Sequence, residues 1–215
     1  MKTIGQHIAN IRSSLRIYSA DQPLGNRFVY QRIVDNAAQL IKQESNRRRL
    51  MSTDTVFSEP LCLDLTVRPA SECCDAPVDG FWSVSEELPP IGEGLYGHII
   101  QGVWNVTRTQ SIDPVTPQDW ITLRKMKHVR QKPRYFIQKN RIIVTAEMEK
   151  VLVSAYFPDP LAGKRREGCF SPTDQPFPFP SYLEGTLYKM VLAEIDASYR
   201  RSREDGKSDA EDTGQ

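Results

Sequence analysis

Apolar residues recur at helical spacing close to the N-terminus of the chain. They form a single stripe, which predicts an amphipathic first helix and consists of Ile4, Ile8, Ile11 and Leu15. Thr3 and Gln6 have the spacing of a capping box, in which each side chain hydrogen-bonds the other residue's backbone N–H. The first helix is therefore expected to begin at Thr3.

A second, longer apolar stripe follows turn-forming residues at 21–26. It predicts a helix over residues 27–49 whose buried face comprises Tyr30, Ile33, Val34, Ala37, Leu40 and Ile41. Two amphipathic helices joined by a short turn form an αα-hairpin, to which we assign residues 1–52.

The middle of the chain changes to alternating periodicity, which is typical of half-buried strands. Extended segments are predicted around 61–67, 82–88, 100–106 and 151–157, with a hairpin over 135–144. A threonine cap followed by proline at Thr116-Pro117 predicts one short helix. We expect a small antiparallel β-domain over residues 53–160, so the fold class is α+β.

Six prolines between Pro158 and Pro180 exclude a central strand or a helix interior there. We assign residues 161–180 to a proline-rich arm. A second capping-box spacing, Ser181 to Glu184, predicts a C-terminal helix over 181–204, and the polar residues 205–215 are expected to form a disordered tail.

Charge and composition exclude several classes of protein. The chain has 28 basic and 27 acidic residues among its 215, so no overall field draws it to DNA or to an anionic membrane. No apolar run is long enough to span a bilayer, and the N-terminus lacks a signal peptide, so we expect a cytoplasmic origin, no membrane partner and free thiols.

Residues that could carry chemistry are present but do not combine into a recognisable site. Cys73 and Cys74 are adjacent and cannot easily share one tetrahedral metal, although Cys62 and Cys169 could approach each other and a zinc-stabilised module stays a third hypothesis. The histidines are His7, expected near the surface, His98 and His128, and none lies beside a nucleophile motif. A loose glycine-rich segment at 92–97 lacks the phosphate-binding lysine. We therefore expect no enzyme activity, cofactor or metal.

Basic clustering and the arm are the features that suggest contacts with partners. Six Lys or Arg residues occur between 124 and 134: Arg124, Lys125, Lys127, Arg130, Lys132 and Arg134. The cluster fits two interpretations, a solvated face or a surface that binds DNA phosphates or an acidic partner. An arm that cannot bury enough surface alone gains stability on neighbouring subunits. The expected oligomer or partner interface comprises Phe157, Pro158, Pro160, Phe170, Phe177, Phe179, Tyr188 and Tyr199.

Three stretches of the chain resemble the neck ring proteins of crAss-like phages, within the head–tail connector (adaptor) proteins of tailed phages. They are the opening 1–13, the hairpin and strand 135–160 ending in Phe157-Pro158-Asp159-Pro160, and the arm and helix 169–194. The order of elements is similar along nearly the whole chain, except at 72–90.

This resemblance implies a structural virion protein of the phage neck and no catalysis. It implies a homo-oligomeric ring, twelvefold, stacked between portal and tail around the DNA exit channel. The partners would then be other copies, the portal, neighbouring neck or tail rings and the packaged DNA, first in the host cytoplasm and finally in the virion. The alternative function is a DNA-binding accessory protein that uses the basic cluster 124–134.

Overall fold

A computed structural model describes residues 1–16, 25–50, 55–57, 60–69, 81–123, 125–126, 132–161 and 171–212, with the backbone alone at 16, 55, 81 and 199–212. The helices are α1 (Ile4–Arg16), α2 (Asn26–Asn46), α3 (Pro117–Leu123) and α4 (Glu184–Asp212). Short 3₁₀ turns lie at Thr55–Phe57, Pro172–Asp174 and Ser181–Leu183. The α+β class is confirmed.

Nine strands are present in the described part of the chain. They are β1 (Leu61–Pro69), β2 (Phe81–Ser85), β3 (Glu93–Gly94), β4 (Gly97–His98), β5 (Ile100–Asn105), β6 (Ser111–Pro114), β7 (Arg134–Gln138), β8 (Arg141–Val144) and β9 (Lys150–Ala155). β3 and β4 pair only with each other, as a small separate hairpin.

The other seven strands close into a barrel in the order β1-β2-β8-β7-β6-β5-β9. Closure depends on the length of β1, whose first half pairs with β9 while its second half pairs with β2. The β6–β7 contact is parallel, whereas every other pair in the barrel is antiparallel. The prediction of a small antiparallel β-domain therefore needs correction at this one pair: α3 lies between β6 and β7, and this connection brings the two strands side by side in the same direction.

Alternation along the strands separates an interior from an exterior on the barrel. The interior is filled by aliphatic side chains such as Val103, Ile142, Val151 and Val153, none more than 1% exposed. On the outer face of β2, β7 and β8, the side chains of Trp82, Val84, Phe136 and Ile143 pack under Trp120 of α3. The predicted β7–β8 hairpin is confirmed, and Lys139 and Asn140 at its turn both have the positive φ that a two-residue type I′ turn requires.

The helices pack into a second core beside the barrel. Residues from α1, α2 and α4 contribute, including Ile11, Ile33, Ile41, Leu187 and Ile195. The predicted stripes on α1 and α2 are confirmed, and the capping box is formed: Thr3 N donates to Gln6 Oε1 at 3.0 Å and Gln6 N donates to Thr3 Oγ1 at 3.2 Å. None of the helices in the described residues has an apolar stretch that could cross a bilayer.

The C-terminal region differs from its prediction at both ends of the helix. Ser181 lies in a 3₁₀ turn instead of capping α4, and the Glu184 carboxylate pairs with the Lys2 ammonium. The capping box predicted here is therefore wrong, because the acid has a stronger charged partner at the other end of the chain. The backbone of α4 continues through residues 205–212, which belong to the segment 205–215 predicted as a disordered tail.

Candidate interaction surface

The described part of the proline-rich arm, residues 171–180, lies against its own chain. The Phe177 N–H donates to the Lys2 carbonyl at 3.0 Å, and the Ile4 N–H donates to the Gln175 carbonyl at 2.9 Å. Between these two bonds, Thr3 and Pro176 form an isolated antiparallel β-bridge. Phe177 and Phe179 are 3% and 4% exposed in the helical core. These two rings, expected at an interface with neighbouring subunits, are covered within one chain because the arm turns back along the start of α1.

The buried polar side chain of His7 on α1 contacts both the arm and α4. His7 is 1% exposed, its Nδ1 lies 2.8 Å from the Tyr188 hydroxyl, and its ring meets the edge of Phe177 with 5.3 Å between centroids. The prediction of a surface position for His7 is wrong. Burial lowers the pKa of His7, and the Lys2 charge lowers it further while the Glu184 carboxylate acts in the opposite direction. His7 is therefore neutral at pH 7 and acts as a core hydrogen-bonding residue.

The remaining predicted interface residues have mixed placements. Phe157 is half-buried against the barrel interior, Tyr188 packs half-buried in the helical core, and Pro158 and Pro160 are half-buried in the turn that follows β9. Tyr199 lies on α4 with only its backbone described, and Phe170 lies outside the described residues. None of the placed residues is fully exposed.

The basic cluster 124–134 is only partly placed. Lys125 and Lys132 are exposed, whereas Arg134 is half-buried and its Nη1 contacts Asp113 Oδ2 at 2.9 Å. Arg124, Lys127 and Arg130 lie outside the described residues. This ion pair joins β7 to β6, and the DNA-facing interpretation of the cluster stays a prediction.

The β3–β4 hairpin carries a surface that sequence reasoning missed. Leu95 and Tyr96 at its turn are 74% and 65% exposed, and they rank first among the large apolar side chains of the described residues. The hairpin rests on the C-terminal end of α2: the Leu95 N–H donates to Asn46 Oδ1 at 2.5 Å, and the Arg48 guanidinium lies 4.5 Å from the centroid of the Tyr96 ring. We call Arg47, Arg48, Arg49, Leu95 and Tyr96 the tip surface.

The end of α2 stores backbone strain beneath this surface. Arg48 N donates to Ser45 O and Arg49 N donates to Glu44 O, which is the hydrogen-bond pattern of a Schellman motif. That motif places its residue of positive φ at Arg48, with φ 54°, where glycine is the usual residue. A non-glycine residue in this conformation costs roughly 1–2 kcal/mol. Arginine thus occupies a position that local stability disfavours, and its guanidinium stacks on the ring of the exposed Tyr96.

Metal-binding and nucleophilic arrangements do not emerge from the placed residues. The described residues contain no group of three or more His, Cys, Asp or Glu side chains that could hold a metal ion. Cys62 is an exposed free thiol, while Cys73, Cys74 and Cys169 lie outside the described part. His98 on β4 contacts Glu93 across the hairpin at 3.4 Å, and both are ordinary surface residues.

The fold is an α+β architecture in which a closed barrel is joined to a three-helix core. Its tip surface is exposed, apolar and basic, and such a surface is suited to protein contacts. Comparison with protein families gives one match of nearly full length: the model of phage tail ring protein 2 covers residues 6–213. The chain belongs to this family of crAss-like phage ring proteins, and it is a structural component of a bacteriophage virion. No curated protein matches the sequence.

Proposed function

We propose that this chain forms a ring in the phage neck, between portal and tail, around the channel through which DNA leaves the head. The observation that carries the proposal is the family match over residues 6–213, which includes the barrel, the arm and the C-terminal helix together. A ring protein associates with copies of itself, and we infer a twelvefold ring that stacks on the portal and on other neck or tail rings. Assembly takes place in the host cytoplasm, and the product resides in the virion.

Two properties of the chain support this function. Its formal net charge of +1 suits a channel ring, because DNA must slide past without tight binding. Its barrel and helical core are each well filled by the chain's own residues, so one copy can fold before it docks. Structural families of phage tail ring proteins are generally non-enzymatic, and the proposed role requires no catalysis.

Reconstitution with the portal tests the proposal. Purified chain is mixed with portal rings, and the complexes are imaged by electron microscopy with two-dimensional class averaging. We expect an added ring of twelvefold symmetry on one face of the portal. Portal rings that stay bare at micromolar chain would contradict the position, and a ring of another symmetry would contradict the copy number.

The alternative, a DNA-binding accessory protein using 124–134, makes a separate prediction. It requires binding to duplex DNA that weakens steeply as salt rises, and reversal of Lys125 and Lys132 to glutamate should then abolish that binding. Of the six basic residues, Arg134 already pairs with Asp113, which leaves fewer charges for phosphate contacts.

A further inference from the structure

The tip surface has the composition and rigidity of a protein contact. Tyr and Arg are enriched at the energetically important centres of interfaces. The hairpin is held in place by the Asn46 hydrogen bond, and Gly94 lies so close to α2 that a Cβ there would come within 3.0 Å of Asn46 Oδ1 and 3.2 Å of Ser45 Oγ. A rigid surface loses little conformational entropy on binding, which favours affinity.

The charge of the tip surface is positive. Arg47, Arg48 and Arg49 are all exposed, and against them stand Glu44, which contacts Arg47 at 3.5 Å, and Glu93, which contacts His98. Two copies that met tip to tip would bring like charges together, which disfavours a two-fold contact through this surface.

An exposed acidic surface lies at the other end of the barrel. Glu147 and Glu149 are exposed in the segment before β9, where Lys150 is already paired with Asp64 at 2.9 Å. The tip surface adjoins the opposite end of β9, where Tyr156 exchanges backbone hydrogen bonds with Ile99 and Gly92. The six residues of β9 separate the two surfaces by about 20 Å.

We propose that the tip surface of one copy docks on the acidic surface, Glu147 and Glu149, of the next copy. This inference rests on the proposed function, since a ring requires a head-to-tail contact between two different surfaces of the same chain. Opposite charges at opposite ends of one barrel supply such a pair. The partner is a second copy of this chain, and Arg48, despite its strained backbone, orders Tyr96 at the contact.

Charge exchange tests the pairing. Sedimentation velocity over a concentration series gives the association constant of the full-length chain, of Arg48→Glu with Arg49→Glu, of Glu147→Arg with Glu149→Arg, and of all four substitutions together. Each double variant should associate at least about tenfold more weakly, and the quadruple variant should recover most of the loss. Circular dichroism verifies that each variant is folded.

A matched control reverses two other exposed cations, Lys125→Glu with Lys132→Glu, and should leave association unchanged. Double variants that associate like the unmodified chain, or a quadruple variant as weak as the doubles, would overturn the pairing. An unmodified chain that stays monomeric up to about 100 μM, roughly −5.5 kcal/mol of association at that limit, would also overturn it. In that last case the ring itself would still stand if the chain copurifies with the portal, so the two failures are distinguishable.

Discussion

Replacing Phe177 by alanine measures how strongly the arm is held by its own chain. The ring is 3% exposed, lies edge-on to His7 and has Phe179 5.9 Å away between centroids. Phe→Ala substitutions in protein cores cost about 3–5 kcal/mol through lost burial and the cavity that remains. The backbone hydrogen bond from Phe177 to Lys2 holds the segment in place and limits collapse, so we expect about 4 kcal/mol, a large part of the roughly 5–15 kcal/mol that keeps a protein folded.

Urea unfolding followed by circular dichroism gives the free energy of unfolding, and repetition at two protein concentrations separates folding from self-association. Phe28→Ala is the control, because Phe28 is also an aromatic residue but is 37% exposed on α2, with the Arg32 guanidinium 5.1 Å from the centroid of its ring. That variant should lose less than about 1 kcal/mol. Equal losses in the two variants would refute the conclusion that the arm packs into a core.

Three further predictions follow from local contacts. Thr116→Ala should lose about 1 kcal/mol of unfolding free energy, because Thr116 Oγ1 accepts a hydrogen bond from the Asp119 N–H at 3.1 Å. Ser181 makes no capping bond, so Ser181→Ala should change the unfolding free energy by less than about 0.5 kcal/mol. Equal effects of the two substitutions in urea unfolding would contradict the capping assignment. Gly92→Ala should lose about 1–3 kcal/mol, since its Cβ would lie 2.5 Å from the Tyr156 ring, while Gly185→Ala in α4, whose Cβ would have nothing within 4 Å, should not destabilise the protein in the same assay. Because the pKa of His7 is lowered in the folded chain, the unfolded chain binds more protons as the pH falls below 6.5. The contribution of neutral His7 to the free energy of unfolding is therefore fully present above that pH and is lost as the pH decreases through it. His7→Phe should flatten the dependence of the unfolding free energy on pH between pH 7.5 and 5.5, and an unchanged dependence would show that His7 is not its source.

Periodicity predicted the long elements of this chain because each carries its own local signal. The stripes of α1 and α2, the capping box at Thr3, the threonine cap at Thr116 and the β7–β8 hairpin depend on residues close in sequence. Barrel closure depends instead on β1 pairing with β9 about ninety residues away, a non-local contact that no window of sequence reports. β6 has only one buried residue, Ile112, and so lacks alternation.

The candidate surfaces were harder to predict than the fold. His7 lies at helical spacing from Ile4 and Ile11, on the apolar stripe itself, and that position was a signal of burial. The arm's aromatic residues were predicted to need neighbours because proline-rich segments bury little surface alone, but the pairing with residues 2–4 at the start of the chain supplies the cover. Leu95 and Tyr96 lie in a segment that sequence suggested only as a glycine-rich loop, and their exposure is a property of the folded hairpin.

Quantitative mass spectrometry of purified particles tests most directly whether the chain is a ring subunit of the virion. The amount of this chain is compared with that of the portal protein in the same particles, with isotope-labelled peptides of each as standards. A ring of the same symmetry as the portal predicts a ratio close to one copy per portal subunit. Absence from particles, or an excess comparable to the major capsid protein, would contradict the proposed ring.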